Sequence, residues 1–151
     1  MRRAWPNDMT RLRIELTDDV TSWHSPPRQA GPEIEIEFVS TPAIILDDSV
    51  HLEDGPWPVV EFAARLTEWL SIARELESAF TYESIEAEDP LLRFYQSGSP
   101  STWWIQSWTM DEPMGPVALD ELVRASEVFV EDVRRRVDEG FGIDLRGRGL
   151  I

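Results

Sequence analysis

Two apolar stripes of helical period divide this chain. Val59, Phe62, Ala63, Leu66, Trp69, Leu70, Ala73 and Leu76 recur at three- and four-residue spacing. So do Leu119, Leu122, Val123, Ser126, Phe129, Val130, Val133 and Val137. Each stripe is the one-faced pattern of a helix laid on a core. The segments before and between them alternate polar and apolar residues instead, which is the period of a half-buried strand. Strands grouped ahead of each helix imply an α+β domain in the order βββαβββα. It would carry about six strands in a mostly antiparallel sheet, with two amphipathic helices packed on one face. The other face would be left partly open, and that is where function is expected.

The element boundaries follow from local chemistry. Arg11 to Leu16 alternates, and Thr21 to Pro32, with Pro26-Pro27, Gly31 and Pro32, reads as a loop. Glu33 to Val39 alternates again, with Glu33, Glu35 and Glu37 on one face and Ile34, Ile36 and Phe38 on the other. Pairing of these two strands would set Arg11 and Arg13 opposite the glutamates. Ala43–Leu46 and Ser49–Glu53 read as short strands bent at Asp47-Asp48. Asp54 reads as an N-cap for a helix that starts at Pro56 or Trp57 and runs to about Ser78, with Glu61 and Arg65 on its wet side. Phe80–Ile85, Leu91–Tyr95 and Thr102–Met110 read as strands, and Ser97–Pro100 as a turn. The last helix is expected from about Val117 to Glu139, capped by Gly140, with Arg134 to Arg136 favoured by its dipole.

The length of 151 residues fits one domain over 1–151, with 1–10 and 146–151 as loosely held tails. Seven Trp, six Phe and two Tyr supply a core, so the high charge does not signify disorder. There is no cysteine, which excludes disulfides and thiolate metal sites and fits a reducing cytoplasm. The N-terminus has no apolar run of the signal-peptide kind, and no stretch is long enough to span a bilayer. A cytoplasmic location is expected.

Charge then narrows the partners. There are 29 Asp and Glu against 14 basic residues, every one of them Arg, for a net of −15. Ile14 to Asp132 alone carries 25 acids against five arginines, a net of −20. Such a surface repels nucleic acid and anionic membrane and steers basic partners toward it. The complete absence of Lys fits a GC-rich genome.

Three constellations are candidates for chemistry. Asp47, His51 and Glu53 fall where a metal could be shared, although the spacing matches no known ligand pattern and equally describes a polar strand face. Glu83, Glu86, Glu88 and Asp89 could pair for acid–base work, or form a solvated rim. Trp103 to Trp108 places Trp104, Gln106 and Trp108 on one strand face, either as an interface anchor or as part of a covered core. No nucleophile elbow, Walker loop or dinucleotide fingerprint is present, so no catalytic residue, metal or cofactor is expected and the chain reads as a non-enzyme.

In size, acidity, lack of Cys and strand–helix order, the chain resembles immunity proteins of bacterial polymorphic toxin systems. The motif Asp54-Gly55-Pro56-Trp57-Pro58, with Tyr82 to Glu88 after the helix, is similar to an uncharacterised family of small acidic actinobacterial proteins. The first resemblance implies an inhibitor that occludes a basic protein partner such as a toxin. The expected contacts are Glu33, Glu35, Glu37, Asp47, Asp48, Glu53, Glu83, Glu86 and Glu88, with Trp104 or Trp108 as anchor. The alternatives are an enzyme with an acidic or metal-assisted site around His51 and Glu53, or a structural, oligomerising domain.

Overall fold

A computed structural model describes residues 11–22, 34–84, 90–98 and 102–151, with only the backbone of Ile34 and Glu35. The elements are β1 (Leu12–Leu16), β2 (Thr21–Ser22), α1 (Ile34–Glu37), β3 (Phe38–Ser40), β4 (Pro42–Leu46), β5 (Ser49–Glu53) and β6 (Trp57–Pro58). They continue with α2 (Val59–Leu70), α3 (Ala73–Leu76), β7 (Phe80–Tyr82), β8 (Leu92–Gln96), β9 (Trp103–Gln106), β10 (Met114–Val117) and α4 (Leu119–Phe141). The class is α+β and every pairing is antiparallel, but the strands form three small sheets, ordered β1-β4-β5, β2-β3-β6 and β10-β9-β8-β7.

The first sheet is built on β4, whose five residues are all buried. Its apolar run is what a strand covered on both faces requires. A two-residue turn leads from it into β5. Asp47 and Asp48 sit there at φ 51° and 64°, the left-handed pair that a tight hairpin needs and that Asp tolerates. β1 lies on the other side of β4, with Leu12 opposite Leu46 and Leu16 opposite Pro42. The expected pairing of this strand with residues 33–39 is thus replaced by pairing with β4, and Arg11 and Arg13 meet the hairpin turn.

That second acidic segment departs furthest from its alternating pattern. Ile34–Glu37 makes one helical turn before the chain extends into β3. The turn rotates Glu37 inward beside Phe38, so both are 0% exposed. The Ser22 hydroxyl donates to the Glu37 carboxylate at 3.0 Å, and Phe141 of α4 closes on Phe38 with ring centroids 4.8 Å apart. Packing by α4 and side-chain hydrogen bonding outweigh strand propensity here.

The first long helix begins later than expected and is shorter. Trp57 and Pro58 pair with Ser40 and Val39 instead of opening a helix. The Asp54 carboxylate accepts from the Trp57 indole at 2.9 Å, so Asp54 is no N-cap. The main helix ends at Leu70, and after a break at Ile72 the single turn α3 ends on Glu77 at φ 47°. Leu76, the last position of the apolar stripe, is 64% exposed for that reason. Glu61 is buried, not wet: the Tyr82 hydroxyl donates to it at 2.8 Å.

Between the two long helices runs an aromatic seam. Phe62 packs on Trp57, Tyr82 and Phe129, and Trp69 on Phe80, Phe94 and Trp103, with centroids 5.0–6.4 Å apart. Each fully buried apolar side chain of this kind contributes about 1.5–3 kcal/mol. The last helix runs to Phe141, a half-turn past the expected cap, because Phe141 is needed against Phe38. Gly142, at φ 70°, caps it and donates its N–H to Asp138. At the other end, Glu121 accepts from the Ala118 N–H at 3.0 Å. This is the glutamate half of a capping box only, since Ala118 offers no acceptor in its side chain. Residues 146–151 are tied back: Arg146 meets Glu131 at 3.0 Å, and Leu150 and Ile151 pack on the core.

Candidate functional site

The four-stranded sheet presents two unlike faces. Leu92, Phe94, Trp103 and Ile105 turn inward and are fully buried. Arg93 and Tyr95 of β8 oppose Gln106 and Trp104 of β9 on the outer face. The Arg93 guanidinium lies over the Tyr95 ring, 5.1 Å from its centroid. Trp104 is half-buried, and its indole packs so closely on Gly115 that a Cβ there would stand 3.0 Å from it. Trp103 is thus a core residue and Trp104 a lining one.

The strand expected to run to Met110 stops at Gln106. The chain turns there, with the Met110 N–H bonded to the Ser107 carbonyl at 3.0 Å, and returns as β10. Sequence reasoning missed this strand. The signal for it was the turn-forming run Asp111, Glu112 and Pro113 just ahead of Met114–Val117, which separates two strands rather than a strand from a helix. The consequence for the surface is direct. Trp108 is carried out of the sheet onto the turn and is 61% exposed. Asp111 and Glu112 beside it in the chain are exposed as well.

Register brings a further carboxylate to this end. Tyr82 pairs with Leu92, Arg93 with Gln106, and Ile105 with Met114. Exposed Glu83, one residue past Tyr82, therefore leaves the same end of the sheet as the turn that bears Trp108. None of Glu83, Asp111 and Glu112 has an ion-pair partner among the described residues.

The other expected contacts are scattered. Asp47 and Asp48 are exposed at the hairpin turn but already paired, Asp47 with Arg11 at 3.1 Å and Asp48 with Arg13 at 3.0 Å. Glu53 is exposed on β5. Glu37 is withdrawn into the interior and is corrected as a contact residue. Glu33, Glu86, Glu88 and Asp89 lie outside the described residues, as does the side chain of Glu35.

His51 is the extra residue of a bulge in β5, between Val50 opposite Ile45 and Leu52 opposite Ile44, and is exposed. Among the described residues, no three His, Asp or Glu side chains stand close enough to hold a metal. No helix among them is long and apolar enough to cross a membrane.

Two of the concavities lie among the described residues. A groove of about 630 Å³ is lined by Asp19, Val20, Arg135, Arg136, Glu139, Gly140 and Phe141. Its arginines are spoken for: Arg135 meets Asp132 and Glu139, and Arg136 meets Asp132. A smaller one of about 210 Å³ lies among Asp54, Gly55, Pro56, Trp57, Pro58, Ser84 and Leu91.

No curated protein and no solved structure matches the chain. Residues 14–139, from the middle of β1 nearly to the end of α4, match a domain of unknown function, DUF7878. The matched span takes in all three sheets and both long helices, and by it the chain belongs to the DUF7878 family.

Proposed function

We propose that this protein is a cytoplasmic binding domain, an immunity protein or inhibitor, that occludes a basic protein partner such as a toxin. What supports the reading is Trp108, 61% exposed on a turn that also carries exposed Asp111 and Glu112. A large exposed aromatic side chain, followed in the chain by carboxylates that have no ion-pair partner among the described residues, fits a partner with an apolar pocket among Arg or Lys. The indole supplies the desolvated anchor and the acids supply steering and register. Glu83 extends the acidic rim from the same end of the sheet, and Trp104 and Tyr95 continue the aromatic surface behind it. Binding, without catalysis, is the activity. Against a nuclease, the carboxylates would stand where the phosphates of its substrate do.

The test is capture of partners from the native host's lysate by tagged wild type and by Trp108→Ala, each at low and physiological salt. The expected result is one dominant basic protein, recovered stoichiometrically, reduced by salt and lost with the tryptophan. Capture that is indifferent to both salt and Trp108 would overturn the reading. Because Trp108 stands largely in solvent, the substitution should leave stability within about 0.5 kcal/mol.

A further inference from the structure

We propose that the outer edge of β5 accepts an extended Arg- or Lys-bearing segment of a protein partner as an added strand. The proposal rests on the reading above only for the sign of the partner's charge; its own ground is the geometry of the edge.

The sheet order β1-β4-β5 leaves β5 at a margin. The hydrogen-bond pattern says which of its groups look outward. Ser49 faces Leu46 across the two-residue turn, the inward-bonding pair of such a hairpin. At the far end the Asp54 N–H bonds the Pro42 carbonyl at 3.2 Å. Alternation then directs the backbone N–H and C=O groups of Val50 and Glu53 away from β4. Their side chains are exposed too, Val50 at 58%.

The other margins among the described strands are closed or blunted. β1 packs along α4 and carries Arg13. β10 contains Pro116, which has no N–H to give. β7 has three residues, and β2 and β6 two each. Natural edges are ordinarily defended by proline, by an inward charge, by Lys or by a bulge. The central positions of β5, Val50 to Leu52, have none of the first three, and the one bulge leaves outward amides on both sides of His51.

The charge around the edge selects the occupant. Glu53 flanks it with no ion-pair partner among the described residues, while Asp48 at the turn is held by Arg13. A second copy of the chain would bring the same carboxylates, and a net of −15, against its own kind. An extended basic segment meets backbone with backbone and opposite charge at Glu53, the main-chain mode of strand addition.

The test is amide hydrogen exchange of the full chain, read by NMR, with a capped synthetic peptide of alternating Arg and Val. At about 90% occupancy, exchange at Val50 and Glu53 should slow about tenfold. The effect should shrink with added salt and be absent with a Glu–Val peptide of the same length. Glu53→Lys should weaken the Arg–Val peptide and admit the Glu–Val one, while Val50→Ala, which keeps the backbone donor, should leave binding in place.

Binding without slowing at these two amides, abolished instead by Trp108→Ala, would overturn the edge and leave the basic-partner reading standing. Absence of binding at millimolar peptide would overturn the edge alone, since capture of a basic protein through Trp108 is read separately. Slowing that grows with protein concentration and needs no peptide would make a second copy the occupant, and would equally overturn the proposal.

Discussion

Glu61 and Tyr82 show how a single hydroxyl can decide where a carboxylate resides. Glu61 occupies a helix position that counting from Arg65 assigns to solvent, yet it is only 7% exposed because the Tyr82 hydroxyl meets it at 2.8 Å. Removing the donor alone leaves a buried acceptor short of a bond, at a cost of about 1–3 kcal/mol. Tyr82→Phe is therefore expected to lower the urea midpoint. Tyr82→Phe combined with Glu61→Leu should recover most of the loss, because neither polar group then remains. Asp18 is a second such residue, at the surface. Its carboxylate takes hydrogen bonds from the Ser40 hydroxyl at 2.5 Å, the Thr41 N–H at 2.8 Å and the Thr41 hydroxyl at 3.1 Å. These bonds, that from Ser40 foremost, hold its pKa below the ordinary carboxylate value. A depressed folded-state pKa stabilises the fold above the unfolded-state value, and that stability is lost as pH falls through the folded one. Asp18→Asn should thus cost up to about 1 kcal/mol at neutral pH, after discounting for exposure. It should also flatten the acid limb of a stability–pH curve below about pH 4. Equal losses in wild type and variant across that limb would remove Asp18 from the account.

At the scale of elements, the long periodic features were legible and the short ones were not. Both helical stripes and the Asp47-Asp48 hairpin stand in the sequence because many residues, or two with special backbone tolerance, agree on one answer. Ile34–Glu37 is too short for period to decide, and its conformation is set by Ser22, Phe38 and Phe141, which no local window contains. β10 was hidden for a different reason: Trp103 to Trp108 looks continuous, because the turn at Ser107 to Met110 carries neither Gly nor Pro to mark it. The candidate site shared that fate. Trp108 was visible as a residue, whereas its exposure depends on the missed turn.

Helix termination gives a direct measurement of the same point. Gly140 and Gly142 both offer open space to a Cβ, but only Gly142 has positive φ, at 70°. Gly140→Ala should stabilise by about 0.5–1 kcal/mol, as for any exposed helix interior. Gly142→Ala should destabilise by about 1 kcal/mol. Thermal melts of the two variants should therefore move in opposite directions. Movement in the same direction would place the helix end elsewhere.

Over the whole molecule, the net of −15 is a cost that the core must exceed. The ion pairs among the described residues are mostly exposed, and such pairs contribute about 0–1 kcal/mol each. Repulsion between the remaining carboxylates acts over longer distances and against the compact state. Raising ionic strength from about 0.01 M to about 0.15 M shortens the screening length from about 30 Å to about 8 Å. The melting temperature should rise over that range. A flat or falling profile in calorimetry would mean that the pairs of Arg11, Arg13 and Arg134 to Arg136 outweigh the repulsion.

The first sheet also fixes an order of assembly. β4 reaches β5 across two residues, but Leu16 reaches Pro42 only after 25 intervening residues have closed on themselves. That difference in closure entropy is about 2 kcal/mol. The hairpin can therefore form while β1 is still unattached. By this closure cost, the first strand in the chain is expected to be seated last in its sheet, with Leu12, Ile14 and Leu16 open to water until β4 and β5 have met.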